Sequence, residues 1–133
     1  MKLEACNIFY ESWQIQCCGK PFKVGDRVTW SYECNCEDLT IGDYKIDFVE
    51  DHHGHATHTI IGTITGIAAV VEHRLSEGKS NYENELTLLQ EADGRETDIL
   101  YRNDKSRYFS GYIVSMKDVE VTEYIKDLKY DYD

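Results

Sequence analysis

Residues 22–30, FKVGDRVTW, place a tight turn directly before an alternating strand, and this stretch decides the fold class. Gly25-Asp26 is typical of a turn, because glycine adopts positive φ and an aspartate side chain can bond nearby backbone groups. From Val28 to Tyr32, large apolar residues alternate with polar ones, which is the two-residue period of a half-buried β-strand. The stretch therefore predicts a turn that leads into a strand with one face in the core.

The rest of the chain also favours strands. TIIGTITGI at 59–67 is rich in β-branched residues, and we expect Gly62 and Gly66 to mark bulges or bends. ELTLL and TDILY flank the loop QEADGRE, whose Asp93-Gly94 pair predicts a hairpin. RYFSGYIVSM at 107–116 and DVEVTEY at 118–124 complete the predicted strands.

Evidence for helix is thin. IAAVVEHRL at 67–75 could form two helical turns, because alanine favours helix, although its two valines do not. The sequence therefore predicts a mainly β protein with little helix. Its six or seven short strands would form a small, strongly curled antiparallel sheet or a partly open barrel of SH3-like or OB-like type.

Length and charge limit the possible classes of protein. A chain of 133 residues predicts one domain over 1–133, with 128–133 as a frayed tail. Fourteen basic and 25 acidic residues give a net charge of −11, which disfavours nucleic acid and anionic membranes as partners. With no apolar run long enough for a membrane span or a signal peptide, we expect a soluble, cytoplasmic protein.

Residues 11–30, ESWQIQCCGKPFKVGDRVTW, resemble the N-terminal signature of an uncharacterised family of small bacterial proteins, WQxQCCGxPFxVGDxVxW. The histidine-bearing stretch EDHHGH at 50–55 and the later GTITGI at 62–67 are similar to that family as well. The resemblance implies a soluble bacterial domain and no assigned activity.

The cysteines form the first candidate site. Five cysteines without an export signal predict free thiols or metal ligands rather than disulfides. Zinc prefers four soft ligands, usually drawn as pairs two to four residues apart. The pairs here are adjacent or separated by one residue, so small buried thiols are the simpler interpretation. The four candidate zinc ligands are Cys17, Cys18, Cys34 and Cys36.

Four of the five histidines form the second candidate site, in DHHGHATHT. Imidazoles bind zinc, copper or nickel, but in an extended chain these four would point to both faces of a strand. A polar loop before the next strand is the simpler interpretation. The candidate ligands are His52, His53, His55 and His58.

The leading hypothesis for function is a non-enzymatic binding or interaction module with an unknown protein or small-molecule ligand and no cofactor. The first alternative is a zinc-binding protein that uses the cysteine pairs and the histidine cluster. The second is a thiol enzyme in which Cys18 pairs with a cluster histidine, although no orienting residue can be named and we assign no catalytic residue. Trp13, Phe22 and Trp30 are expected to anchor the fold.

Overall fold

The computed structural model describes residues 2–12, 15, 20–33, 39–50, 58–74, 82–94 and 106–123. Within these ranges lie ten strands. They are β1 (Lys2–Glu11), β2 (Phe22–Lys23), β3 (Arg27–Glu33), β4 (Thr40–Ile41), β5 (Tyr44–Lys45), β6 (Phe48–Glu50), β7 (His58–Arg74), β8 (Tyr82–Leu89), β9 (Glu91–Ala92) and β10 (Arg107–Glu123).

Six of these strands form one sheet in the order β10-β1-β6-β3-β7-β8, and β10 pairs with β7 as well. Among its described pairings, β1 with β6 is parallel and the others are antiparallel. The sheet is strongly curled but is not a closed barrel, and its short strand β6 shares only two residue pairs with each neighbour. The prediction of a small, mainly β, strongly curled fold is confirmed, whereas an SH3-like or OB-like topology stays a prediction.

The two longest strands, β7 and β10, pair along most of their 17 residues and bend without ending. Asp118 and Val119 both lie opposite Gly62, and Thr65 is an extra residue beside Gly66. The predicted bulges at the two glycines are therefore confirmed. The short strands predicted on either side of these bends are continuous in the structure, because a bulge redirects a strand without interrupting it.

The two helical turns considered for 67–75 do not form, because Ile67 to Arg74 belong to β7. Five consecutive residues here, Ile67 to Val71, are buried. A strand that is covered on both faces has a continuous run of apolar residues. The sequence pattern alone does not distinguish such a run from a short buried helix.

The core occupies both faces of the curled sheet. The larger cluster lies on the inner face and is built mainly from β1, β7 and β10. A smaller cluster covers part of the other face, where Ile41 of β4 and Ile46, which directly follows β5, pack against Val70 and Ile113. In the part of the chain that the structure describes, no helix is both long and apolar enough to cross a membrane.

Candidate functional site

The turn predicted at Gly25-Asp26 is formed by residues 23–26, next to the cavity described below. Gly25 has φ +100°, in the region that favours glycine. The Lys23 amide donates to Oδ2 of Asp26 at 3.0 Å, and the Asp26 amide donates to the Lys23 carbonyl at 3.1 Å. Both features of the prediction, positive φ at the glycine and a backbone contact of the aspartate side chain, are therefore confirmed.

This turn is fixed on the bulged part of β7. The Gly25 amide donates to the Ile64 carbonyl at 2.8 Å, and the Ile64 amide donates to the Asp26 carbonyl at 2.9 Å. On the other side, the Val24 amide donates to the Gln90 carbonyl at 2.9 Å, beside the short pairing of β2 with β9. These backbone bonds hold Phe22 and the start of β3 in place.

Three aromatic rings meet next to this turn, and we call Tyr10, Phe22 and Trp30 the aromatic triad. The centroid of Trp30 lies 5.0 Å from those of both Tyr10 and Phe22, in edge-to-face arrangements. Tyr10 and Phe22 are 5.2 Å apart and almost fully buried, whereas Trp30 is half-buried. These are the separations at which aromatic pairs attract each other.

A buried carboxylate lies in the same region. Glu50, on β6, is only 1% exposed. It is paired with Tyr32 of β3 across the sheet, and directly paired residues of antiparallel strands share one face. Since Tyr32 belongs to the inner core cluster, the side chain of Glu50 is on the inner face of the sheet.

The aromatic triad and Glu50 line a cavity of about 440 Å³, which we call the triad pocket. Asp26 and Lys20 also line it, and Lys20 is exposed. Ligand sites in proteins are typically concave, mostly apolar and supplied with a few polar groups, with volumes of roughly 300–1,000 Å³. The triad pocket has a volume in this range, and its lining combines aromatic side chains with polar ones in similar measure.

The residues proposed as zinc ligands are mostly outside the described ranges. His58 is the first residue of β7 and pairs with Tyr32 and Glu123 through the backbone, but its side chain is not described. The zinc site stays a prediction. The candidates that lie outside the described residues are Cys17, Cys18, Cys34, Cys36, His52, His53 and His55.

Cys6 is a free, buried cysteine on β1. Burial raises the pKa of its thiol to about 12, and the negative charge of Asp47 raises it further in the same direction. A protonated thiol is a poor nucleophile and a poor metal ligand. Cys6 therefore acts as a small apolar core residue, the simpler role expected for the cysteines of this chain.

A second polar cluster joins β7, β8 and β10 and contains the fifth histidine, His73. One ligand atom each of His73, Glu83 and Glu85 lies within 4.8 Å of the others, a spacing at which a metal ion could be held. Arg107, however, donates to both carboxylate oxygens of Glu85, at 2.9 and 3.1 Å. Because the guanidinium already supplies the positive charge, this is a cross-strand ion pair and we assign no metal to it.

The ion pair predicts a pH dependence of stability. The hydrogen bond from Arg107 is the main reason that the pKa of Glu85 is below its ordinary value; desolvation opposes it, and the charges of Arg107 and His73 add to it. A carboxyl whose pKa is lowered by folding stabilises the fold above its unfolded pKa, about 4.3 for Glu. That stabilisation is lost as the pH falls below this value towards the folded pKa.

We therefore expect Glu85→Gln to be less stable than wild type at pH 7, with the difference shrinking as the pH is lowered below about 4.3. Urea denaturation at several pH values measures this. Glu83→Gln, on the same strand, removes an equal charge but leaves the Arg107 bonds intact, and it serves as the control. A Glu85→Gln difference that is constant with pH, or that grows in acid, would contradict this assignment.

Sequence reasoning missed two members of the triad pocket. The sequence pattern does not distinguish Tyr10 from the other tyrosines, and Glu50 precedes the histidine cluster in EDHHGH without a feature of its own. Apolar residues recur at every second position in Cys6, Ile8 and Tyr10, and this is a sequence signal that could have assigned Tyr10 to the core. No local signal identifies Glu50, since its burial depends on pairing with Tyr32.

The curled sheet and the triad pocket define the class: a small, mainly β protein with an aromatic-walled cavity. The chain belongs to DUF6578, a family of unknown function, whose model matches residues 4–118. The match includes the whole of the triad pocket, from Tyr10 to Glu50. No curated protein and no solved structure matches the chain.

Proposed function

We propose that this chain is a non-enzymatic binding module whose small-molecule ligand occupies the triad pocket. The observation that carries the proposal is the triad pocket itself, a cavity of about 440 Å³ whose lining brings Trp30, Asp26 and Glu50 together. Its volume lies within the roughly 300–1,000 Å³ that is typical of ligand sites in proteins.

Binding rather than catalysis is supported by the side chains around the cavity. Those that titrate are Tyr10, Lys20, Asp26 and Glu50, with no cysteine or histidine among the described residues of the lining. Nucleophilic catalysis requires a nucleophile within hydrogen-bonding reach of a base, usually oriented by a third group. The described lining combines aromatic and aliphatic side chains, which provide contact area, with polar groups that can orient a ligand.

A fragment screen followed by amide chemical shifts tests the proposal. We expect fragments that bind ¹⁵N-labelled protein to shift the amides around the triad pocket, including those of Phe22, Trp30 and Glu50. Val28→Trp, which places a large side chain in the pocket lining on the same face of β3 as Trp30, should abolish these shifts. Thr65→Trp, at an exposed position outside the lining, should retain them. Hits that shift other surfaces, or that bind Val28→Trp equally well, would overturn the proposal.

Finer predictions accompany this proposal. The family resemblance supports a bacterial origin, and the free thiol of Cys6 supports a cytoplasmic location, because free thiols are typical of reducing compartments. A zinc site at the cysteine pairs and histidine cluster, and a reactive Cys18, are the alternatives to a non-enzymatic module. Metal analysis of the untagged protein tests the first, and alkylation of folded protein below neutral pH tests the second.

A further inference from the structure

We infer that the chain has a second ligand site, on the outer face of the sheet, where a row formed by Asn84, Glu72 and Tyr108 binds a neutral sugar. These residues line a cavity of about 350 Å³, which we call the outer pocket. Its volume lies within the roughly 300–1,000 Å³ of typical ligand sites. The inference goes beyond the proposed function, because it concerns a different cavity and does not depend on the triad pocket.

The row is set by the register of three strands. Asn84 of β8 and Tyr108 of β10 are both paired with Glu72 of β7, one on each side. Directly paired residues of antiparallel strands share one face of a sheet, with Cβ atoms about 4.5–5.5 Å apart. Val70, two residues before Glu72, belongs to the smaller core cluster, so this face is the outer one. An amide, a carboxylate and a phenol therefore lie side by side.

A β-bulge in β10 adds a hydroxyl group to the row. In a regular pairing Ser110 would lie opposite Val70, but the register shift gives that place to Gly111 and makes Ser110 the extra residue. The Ser110 hydroxyl donates to Oε2 of Glu72 at 3.4 Å. Bulges are common next to functional sites, where they change the direction of a side chain. This bulge places Ser110 beside the carboxylate, and Ser110 also lines the outer pocket.

The opposite wall of the outer pocket includes Thr40 of the β4–β5 hairpin, and backbone bonds hold this hairpin in place. The Asn7 amide donates to Oδ2 of Asp47 at 2.8 Å, and the Asp47 amide donates to the Asn7 carbonyl at 2.9 Å. The Asn7 side-chain amide donates to the Lys45 carbonyl at 3.1 Å. Because the hairpin is fixed to β1, the cavity is formed before a ligand binds.

A ligand can reach the row from solvent. Tyr108 is 64% exposed, Asn84 is exposed as well, and Glu72 and Ser110 are partly exposed. A carboxylate has about four acceptor sites, and the Ser110 hydroxyl uses one of those on Glu72. The Glu72 carboxylate therefore keeps the capacity to accept hydrogen bonds from a ligand.

The polar groups of the described lining favour a neutral sugar over an ion. The hydroxyls of Ser110, Thr40 and Tyr108 and the amide of Asn84 can each donate and accept hydrogen bonds. The hydroxyl groups of a sugar do both as well, whereas an anion only accepts and an ammonium group only donates. The described lining contains carboxylates but no lysine or arginine, which disfavours an anion. An ammonium ligand is therefore the rival that the experiment must separate.

The exposed ring of Tyr108 supplies an apolar surface for the same ligand. A pyranose ring has a face of C–H groups, which is removed from water when it stacks on an aromatic ring. Because Tyr108 is paired with Glu72, a sugar on this ring has its hydroxyl groups within reach of the carboxylate. The ring and the row thus contact different parts of one ligand.

Methyl glycosides in three charge states test the inference on the full chain. Those of glucose, galactose and mannose are each compared with a hydroxyl, a carboxylate or an ammonium group at the terminal carbon. At physiological salt and millimolar ligand, we expect at least one neutral glycoside to shift the amides of Glu72, Asn84 and Tyr108 in ¹⁵N-labelled protein. Its carboxylate form should bind about tenfold more weakly, and its ammonium form no more tightly than the neutral one.

Tyr108→Ala and Leu88→Ala form a matched pair of variants. Both residues are exposed, so the fold should tolerate both substitutions, but only Tyr108 lines the outer pocket. Tyr108→Ala is expected to lose about tenfold in affinity for the neutral glycoside. Leu88→Ala is expected to keep the wild-type affinity.

The outcomes that would overturn the inference are distinct from those that test the triad pocket. No shift at the outer pocket with any neutral glycoside, tighter binding of the ammonium form, or equal losses in Tyr108→Ala and Leu88→Ala would overturn it. A glycoside that shifts Phe22 and Trp30 instead would also overturn it while supporting the proposed binding function. An empty fragment screen would remove the proposed function but leave sugar binding at Glu72 standing.

Discussion

Replacing Gly111 with alanine is expected to destabilise the fold by about 4 kcal/mol or more, a loss that few single substitutions reach. Gly111 has φ +154°, in the region that favours glycine. A Cβ at this position would overlap the Tyr10 carbonyl oxygen, lie 2.9 Å from Cα of Glu11 and lie 3.1 Å from the ring of Phe9. Two of these neighbours are backbone atoms of the paired strand β1, so they can move only if that pairing is disrupted.

Gly66→Ala provides the matched control for Gly111→Ala. Both glycines lie beside register shifts in the pairing of β7 with β10. At Gly66, however, the nearest atom to an added Cβ would be Cβ of Ser115 at 3.9 Å, an ordinary contact. Chemical denaturation should show a small change for Gly66→Ala and a large loss for Gly111→Ala. Similar denaturation midpoints for the two variants would contradict the close approach of β1 to β10 at Gly111.

The Trp30→Ala variant is expected to lose about 3 kcal/mol of unfolding free energy, the lower end of the range for buried aromatic residues. The lower end applies because Trp30 is half-buried. The substitution removes edge-to-face contacts with both Tyr10 and Phe22. The free energy of unfolding of a domain is typically only about 5–15 kcal/mol, so this loss removes a large part of the stability of the fold.

Thr29→Ala is the control for Trp30→Ala. Thr29 is the preceding residue of β3 and is exposed, so its substitution leaves the aromatic triad intact. Urea denaturation followed by circular dichroism should give a midpoint near that of wild type for Thr29→Ala and a far lower one for Trp30→Ala. If the two variants unfold at similar urea concentrations, Trp30 does not anchor the fold.

The features that sequence predicts here are local ones. The turn at Gly25-Asp26 depends on the conformational freedom of one residue and a hydrogen bond three residues away. The alternation of apolar and polar residues from Val28 to Tyr32 depends on a single strand that has one face in the core. The bulges at Gly62 and Gly66 follow from the scarcity of glycine inside regular strands. Each could be inferred without knowing which strands are neighbours.

The features that sequence does not predict depend on long-range pairing. Glu50 joins the triad pocket only because β6 pairs with β3 and places this carboxylate beside the inner face. The β4–β5 hairpin was missed because its strands are two residues long, too short for a periodicity to appear. His73, unremarkable in sequence, meets Glu85 and Arg107 because three distant strands align there.

The central claim is that the triad pocket is a ligand site. Nuclear Overhauser contacts between a bound fragment from the screen and the protein test it most directly, because they report distances to individual side chains. The account predicts contacts to the ring protons of Trp30 that disappear in Val28→Trp. Contacts confined to residues outside the triad pocket, at a fragment concentration that saturates the protein, would contradict it.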